Sequence, residues 1–143
     1  MSSILDLPKG SLIYISGKMD GLPCMGFEKF FARAAFLKSH GFRVFNPAEK
    51  DCLKMAEGWK YEPCNRASIL LDDLEELVKC DAIEMLDNWV DDSTGATAER
   101  AFALAINIPV YYVLGEVTFM EEQGVGGLID NEKLARIMLK EEA

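Results

Sequence analysis

Two periods alternate along the chain. Short runs of β-forming apolar residues are separated by longer stretches in which apolar residues recur every three or four positions. "SLIYIS" (11–16) is such a run, ended by Gly17, and predicts a buried strand. In "GFEKFFARAAFLKSHG" (26–41), Phe27, Phe30, Phe31, Ala34 and Leu37 fall on one helical face, with Gly41 as the stop and Lys38 and His40 in the last turn. "FRVFNP" (42–47) predicts a second strand closed by Pro47, and residues 48–66 show no regular period. "ASILLDDLEELVKC" (67–80) gives a second helix with Leu70, Leu74, Leu77 and Val78 inward, and "DAIEML" (81–86) a third strand. "DDSTGATAERAFALA" (91–105) starts a third helix, "NIPVYYVL" (107–114) is a fourth strand, and "DNEKLARIMLKEEA" (130–143) is a last amphipathic helix with Asp130 as its cap.

This β-α alternation predicts a single α/β domain over 1–143: a flavodoxin- or Rossmann-like parallel sheet, strand order about 2-1-3-4, with helices on both faces. Ligands of such sheets sit beyond the carboxyl ends of the strands, at the switch point between the first and third. Segments 16–27, 46–66 and 87–99 reach that edge.

Composition narrows the partners. The formal charge is −9, from 24 acidic and 15 basic residues, which argues against a duplex nucleic-acid binder. It leaves room for a small anionic ligand held by backbone N–H groups. Cys24, Cys52, Cys64 and Cys80 form no C-x-x-C pair and the chain has one histidine, so no metal site is expected. No leader-like segment precedes the first strand and no apolar run approaches the roughly 18 residues of a membrane span. The expectation is a reduced cytoplasmic protein with free thiols and no membrane partner.

Several residues at the predicted edge bear chemistry. Glu99 lies about one turn inside the third helix, where partial positive charge favours its ionised form; it is either a nucleophile or base, or an ordinary surface partner of a cation. Asp92, Ser93 and Thr94 suit a helix cap, and Gly95 lets a ligand approach the backbone; the same stretch fits a phosphate seat or a plain N-cap. The segment from Ser16 through Gly17, Lys18 and Gly21 to Phe27 either cradles an anionic group or merely connects two elements. Asp73 points either to the sheet edge or, with Asp72, to solvent, and Trp59 and Tyr61 either stack on a planar ligand or cap the core.

Four segments together carry a resemblance. "IYISGKMDGLP", "GFRVFNPAE", "LDDLEELVKCDAIEML" and "NWVDDSTGATAERAFALAINIPVYYV" resemble, in order and spacing, the motifs of the nucleoside 2-deoxyribosyltransferase-like superfamily, in particular a small phage and bacterial group related to nucleoside 5′-monophosphate N-glycosidases. The likeness runs from about residue 12 to 114. It implies N-glycosidic chemistry: Glu99 attacks C1′ of the sugar, a covalent glycosyl-enzyme forms, and the base departs, to be replaced by water in hydrolases or a second base in transferases. Asp73, eight positions before the Asp that opens strand three, would serve the base side, Tyr14 would position Glu99, and Asn46 would be a supporting contact.

Six positions before the nucleophile, transferases on free nucleosides carry an aspartate that binds the 5′-hydroxyl; monophosphate glycosidases carry serine, as here at Ser93. A carboxylate repels a 5′-phosphate and a hydroxyl donates to it. Asp92 is adjacent, so the residue that faces the 5′ end decides between the two. Lys18 stands where the closest group has proline, and the loop holds Asp20 rather than an arginine. The expected activity is hydrolysis of a (deoxy)nucleoside 5′-monophosphate without a cofactor. Base exchange by a deoxyribosyltransferase and non-catalytic nucleotide sequestration are the alternatives. The resemblance also implies a homodimer or larger assembly in which a neighbouring chain completes the pocket.

Overall fold

The computed structural model describes residues 3–18, 27–59, 62, 66–90, 94–114 and 117–120. Its strands are β1 (Leu12–Ser16), β2 (Arg43–Phe45), β3 (Ala82–Met85), β4 (Val110–Leu114) and β5 (Val117–Met120). The helices are α1 (Phe27–Ser39), α2 (Pro47–Ala56), α3 (Arg66–Val78) and α4 (Thr94–Ala105), with 3-10 turns at Ile4–Asp6 and Asp87–Val90. The first four strands are parallel in the expected order 2-1-3-4, with Tyr14 level with Phe45 and Ile83, and Ser16 level with Met85. β5, which the sequence pattern did not predict, returns antiparallel along β4. Among the described residues no helix is long and apolar enough to cross a membrane.

The strands are apolar on both faces because helices cover both. Ile13 and Ile15 pack with Phe30, Ala34 and Leu37 of α1 on one side. Tyr14, Ile83 and Met85 pack with Leu77 of α3 and Ala96 and Ala103 of α4 on the other. Each fully buried Ile or Leu contributes about 1.5–3 kcal/mol. The apolar layer on the α1 side also holds an ion pair. Glu84 of β3, fully buried, accepts from Arg33 of α1 through both oxygens, Nε at 2.5 Å and Nη2 at 2.8 Å.

Gly41 ends α1 as expected. It has φ +91°, its N–H bonds to Lys38 O, and Phe42 N–H reaches back to Leu37 O. The positive φ excludes most side chains, and a Cβ would also press on Lys9 Cδ at 3.2 Å.

Two expectations are corrected and one falls on residues outside the description. Residues 48–66 are not all irregular: Asn46 and Pro47, read as the end of strand two, instead start α2. The Asn46 side chain accepts from Ala48 N–H, and Pro47 occupies the first turn, where its missing N–H costs nothing. Phe31 and Val78, placed on the inward faces, are 41% and 56% exposed. Both lie at the margin of their apolar stripes, whereas Phe30 and Leu77 are fully buried as expected. The tail helix expected at 130–143 lies outside the described residues.

Candidate active site

β1 supplies two hydroxyls to one side of the sheet. Side chains alternate along a strand, so Tyr14 and Ser16 share a face and Ile13 and Ile15 the opposite one. That face is covered by α4, and Glu99 of α4 projects onto it at the carboxyl end of β1. Ser16 Oγ donates to Glu99 Oε1 at 2.6 Å, and the Tyr14 hydroxyl donates to Oε2. Each carboxylate oxygen is therefore held by its own donor.

Glu99 is buried, at 7% exposure. Burial is the main reason its carboxyl is pushed up to about 7. The bonds from Ser16 and Tyr14 and the charge of Lys50 pull it down, and the charge of Asp73 adds to the rise. Tyr14 is itself raised well above the ordinary phenol value, by burial and then by the charges of Glu99 and Asp73. It therefore stays protonated, as a permanent donor.

Asp73, on the inner side of α3, is buried and is the acceptor of Lys50 Nζ. Burial raises its carboxyl, the bond to Lys50 and its charge lower it, and Asp51 and Asp72 raise it further. The solvated alternative for Asp73 is thereby set aside. Asn46 is buried at the start of α2; its Oδ1 caps the helix, and its Nδ2 has no hydrogen-bond partner among the described residues. The cap bond fixes the amide, so this donor is left for another group.

The other expected residues divide. Gly17 and Lys18 directly follow β1 and are partly buried. Gly95 lies in the first turn of α4, and a Cβ there would meet no atom within 4 Å, so open space adjoins the helix start. Phe27 does not join the Glu99 group: it packs against the core on the α1 side of the sheet. Trp59 follows α2, with Lys54 Nζ 5.7 Å from its ring centroid. Gly21, Tyr61, Asp92 and Ser93 lie outside the described residues.

Lys50 was missed because α2 was missed. Asn46-Pro47, taken as cap and first helical residue, places Lys50 four residues on and over the same edge as Asn46. Arg100, beside Glu99 on α4, was also overlooked. It is 2% exposed, lies over the Trp89 ring at 5.4 Å, and donates from Nε to the Tyr112 hydroxyl at 2.6 Å. It anchors α4 to β4 directly beneath the nucleophile candidate.

The arrangement is a desolvated carboxylate on a rigid helix, two fixed donors, and a second carboxylate carrying its own cation. Such a group can hold a reactive carboxylate in one orientation and switch its charge near neutral pH. No curated protein matches the chain. A family model does, over residues 11–112, described as a domain of unknown function, DUF4406. That family is placed in the nucleoside 2-deoxyribosyltransferase-like clan. The match runs from β1 into β4, with Tyr14, Ser16, Asp73 and Glu99, and on it the chain belongs to the DUF4406 family.

Proposed function

We propose that this protein is a cytoplasmic N-glycosidase that cleaves the base–sugar bond of a (deoxy)nucleoside 5′-monophosphate through a covalent glycosyl-glutamate. The observation that carries the reading is Glu99, a buried carboxylate at the sheet's carboxyl edge with one oxygen on Ser16 and the other on Tyr14. Glu99 attacks C1′ as the C–N bond breaks; the electron pair leaves with the base, which Asp73 contacts and which takes its proton from solvent. Water then opens the glycosyl ester, giving sugar phosphate and restoring the carboxylate. Two fixed donors keep the carboxylate aimed, at some cost in basicity, and burial offsets that cost. Ser93 and the start of α4 are assigned to the 5′-phosphate, by charge and by the helix-end N–H groups. The clan to which the family belongs supports the same chemistry. A homo-oligomer fits the 41% exposed Phe31 on α1, and sedimentation of the full chain tests it.

The test is a panel of nucleoside monophosphates and free nucleosides, with and without a second free base, followed by chromatography, with Glu99→Ala as control. Sugar phosphate plus free base, lost in the variant, is the expected result. A new nucleoside would assign base exchange instead. Binding without turnover would assign sequestration.

A further inference from the structure

Charge balance around Glu99 is the unexplained feature of the site. Two carboxylates lie in one buried group. Glu99 and Asp73 are 7% and 6% exposed; Glu99 accepts from the Tyr14 hydroxyl, and the charges of both carboxylates raise it. Two such groups cannot both ionise cheaply without a cation. The cation on α4 is Arg100. Arg100 turns its guanidinium toward Trp89 and Tyr112. On the remaining elements packed here, α3 brings Asp72 and α2 brings Asp51, both adding negative charge. The cation comes from α2. Lys50 Nζ bonds Asp73 Oδ1, with its side chain 25% exposed.

We propose that Lys50 is a positioning residue: paired with Asp73, it lets both carboxylates be ionised together and so sets the pH at which Glu99 becomes reactive. The assignment rests on the glycosidase reading for its consequence in catalysis, but the charge balance itself does not. Lys50 touches Asp73 rather than Glu99, and its field reaches Glu99 from across the group. The helix start holds it in place. Asn46 caps α2 and Pro47 follows, so the first turn of α2 fixes where the ammonium emerges. Removing the charge while keeping the two carboxylates disfavours the doubly ionised pair more than the singly ionised one. The upper of the pair's two titration steps therefore moves up.

The test follows the side-chain carboxyl carbons by NMR from pH 4 to 9 in the full chain. Glu99→Gln and Asp73→Asn assign the signals. Lys50→Met and Lys50→Gln remove the charge; Lys50→Arg keeps it. The partly exposed position makes the glutamine variant the safer of the two for folding, and circular dichroism checks each. The expected result is an upper step raised by about one unit or more in the neutral variants and restored in Lys50→Arg. In the active enzyme, the acid limb of kcat/KM moves with it. An unmoved upper step in a folded neutral variant overturns the proposal, as does an arginine variant shifted as far as the glutamine one. If the parent releases no base from any substrate, the glycosidase reading fails while the titration still decides the role of Lys50.

Discussion

Replacing Glu99 by glutamine should make the protein more stable, and only at high pH. The folded chain holds this carboxyl at about 7, against an ordinary value of 4.5. Between those two pH values the folded state keeps a proton that the unfolded chain has released. Stability therefore falls as pH rises through that window, and the full loss is present above pH 7. The difference is about 2.5 units at 1.36 kcal/mol each, or roughly 3 kcal/mol of native-state cost above neutrality. Glutamine carries no charge to desolvate. Its Oε1 accepts from one of the two hydroxyls, and its Nε2 donates to the other only after that hydroxyl turns, so about 1 kcal/mol is given back. The net expectation at pH 8.5 is a gain of about 2 kcal/mol, a rise in Tm of roughly 4–8 °C for a chain of this length. At pH 4.5 the gain vanishes or reverses. Thermal melts of parent and Glu99→Gln at both pH values read the difference. An equal effect at the two pH values would refute the claim that a buried charge is maintained here at the expense of stability.

Activity should show the same ionisation from the other side: kcat/KM for base release rises with pH through about 7 as Glu99 loses its proton, and falls below it. Tyr14→Phe removes a donor to the ionised form, so the limb moves to higher pH and kcat drops; a limb that moves down would contradict the assignment. Arg33→Met leaves Glu84 buried without its cation and should cost about 3–5 kcal/mol in urea unfolding, most of which Arg33→Met with Glu84→Leu recovers. A double variant as unstable as the single one would show that the pair's geometry, not stranded charge, is what matters. Asn46→Ala should cost about 1 kcal/mol or less, because the lost cap is partly offset by removal of a buried amide donor without a partner.

The parts of this fold that repeat a period were legible in the sequence. β1, α1, α3 and β3 each display enough turns or alternations for the pattern to be read, and the order 2-1-3-4 follows from right-handed crossovers. α2 was hidden because Asn-Pro ends a strand as readily as it starts a helix, and only its position after β2 decides which. β5 is four residues paired with β4, too short for alternation to register. Glu99 stood out through the Ser-Thr-Gly turn before it and through the resemblance. Its donors did not announce themselves as a pair: Tyr14 and Ser16 are 85 and 83 residues away along the chain, and only the sheet brings them together. Lys50 has no local signal of its own; its meaning comes entirely from its bond to Asp73 of α3.

β1 does two jobs with five residues. Its odd positions fill one core and its even positions hold the carboxylate, so sliding the strand by one residue would exchange isoleucines for hydroxyls on both faces at once. Selection for a different reaction has little freedom there, since each substitution is judged twice. α2 is under no such double constraint: Lys50 emerges partly exposed beside Asp73, attached to a helix whose start is set by two residues. Divergence of activity within this scaffold is therefore expected to accumulate on α2 and the connecting segments, with the strand left unchanged as the fixed half of the site.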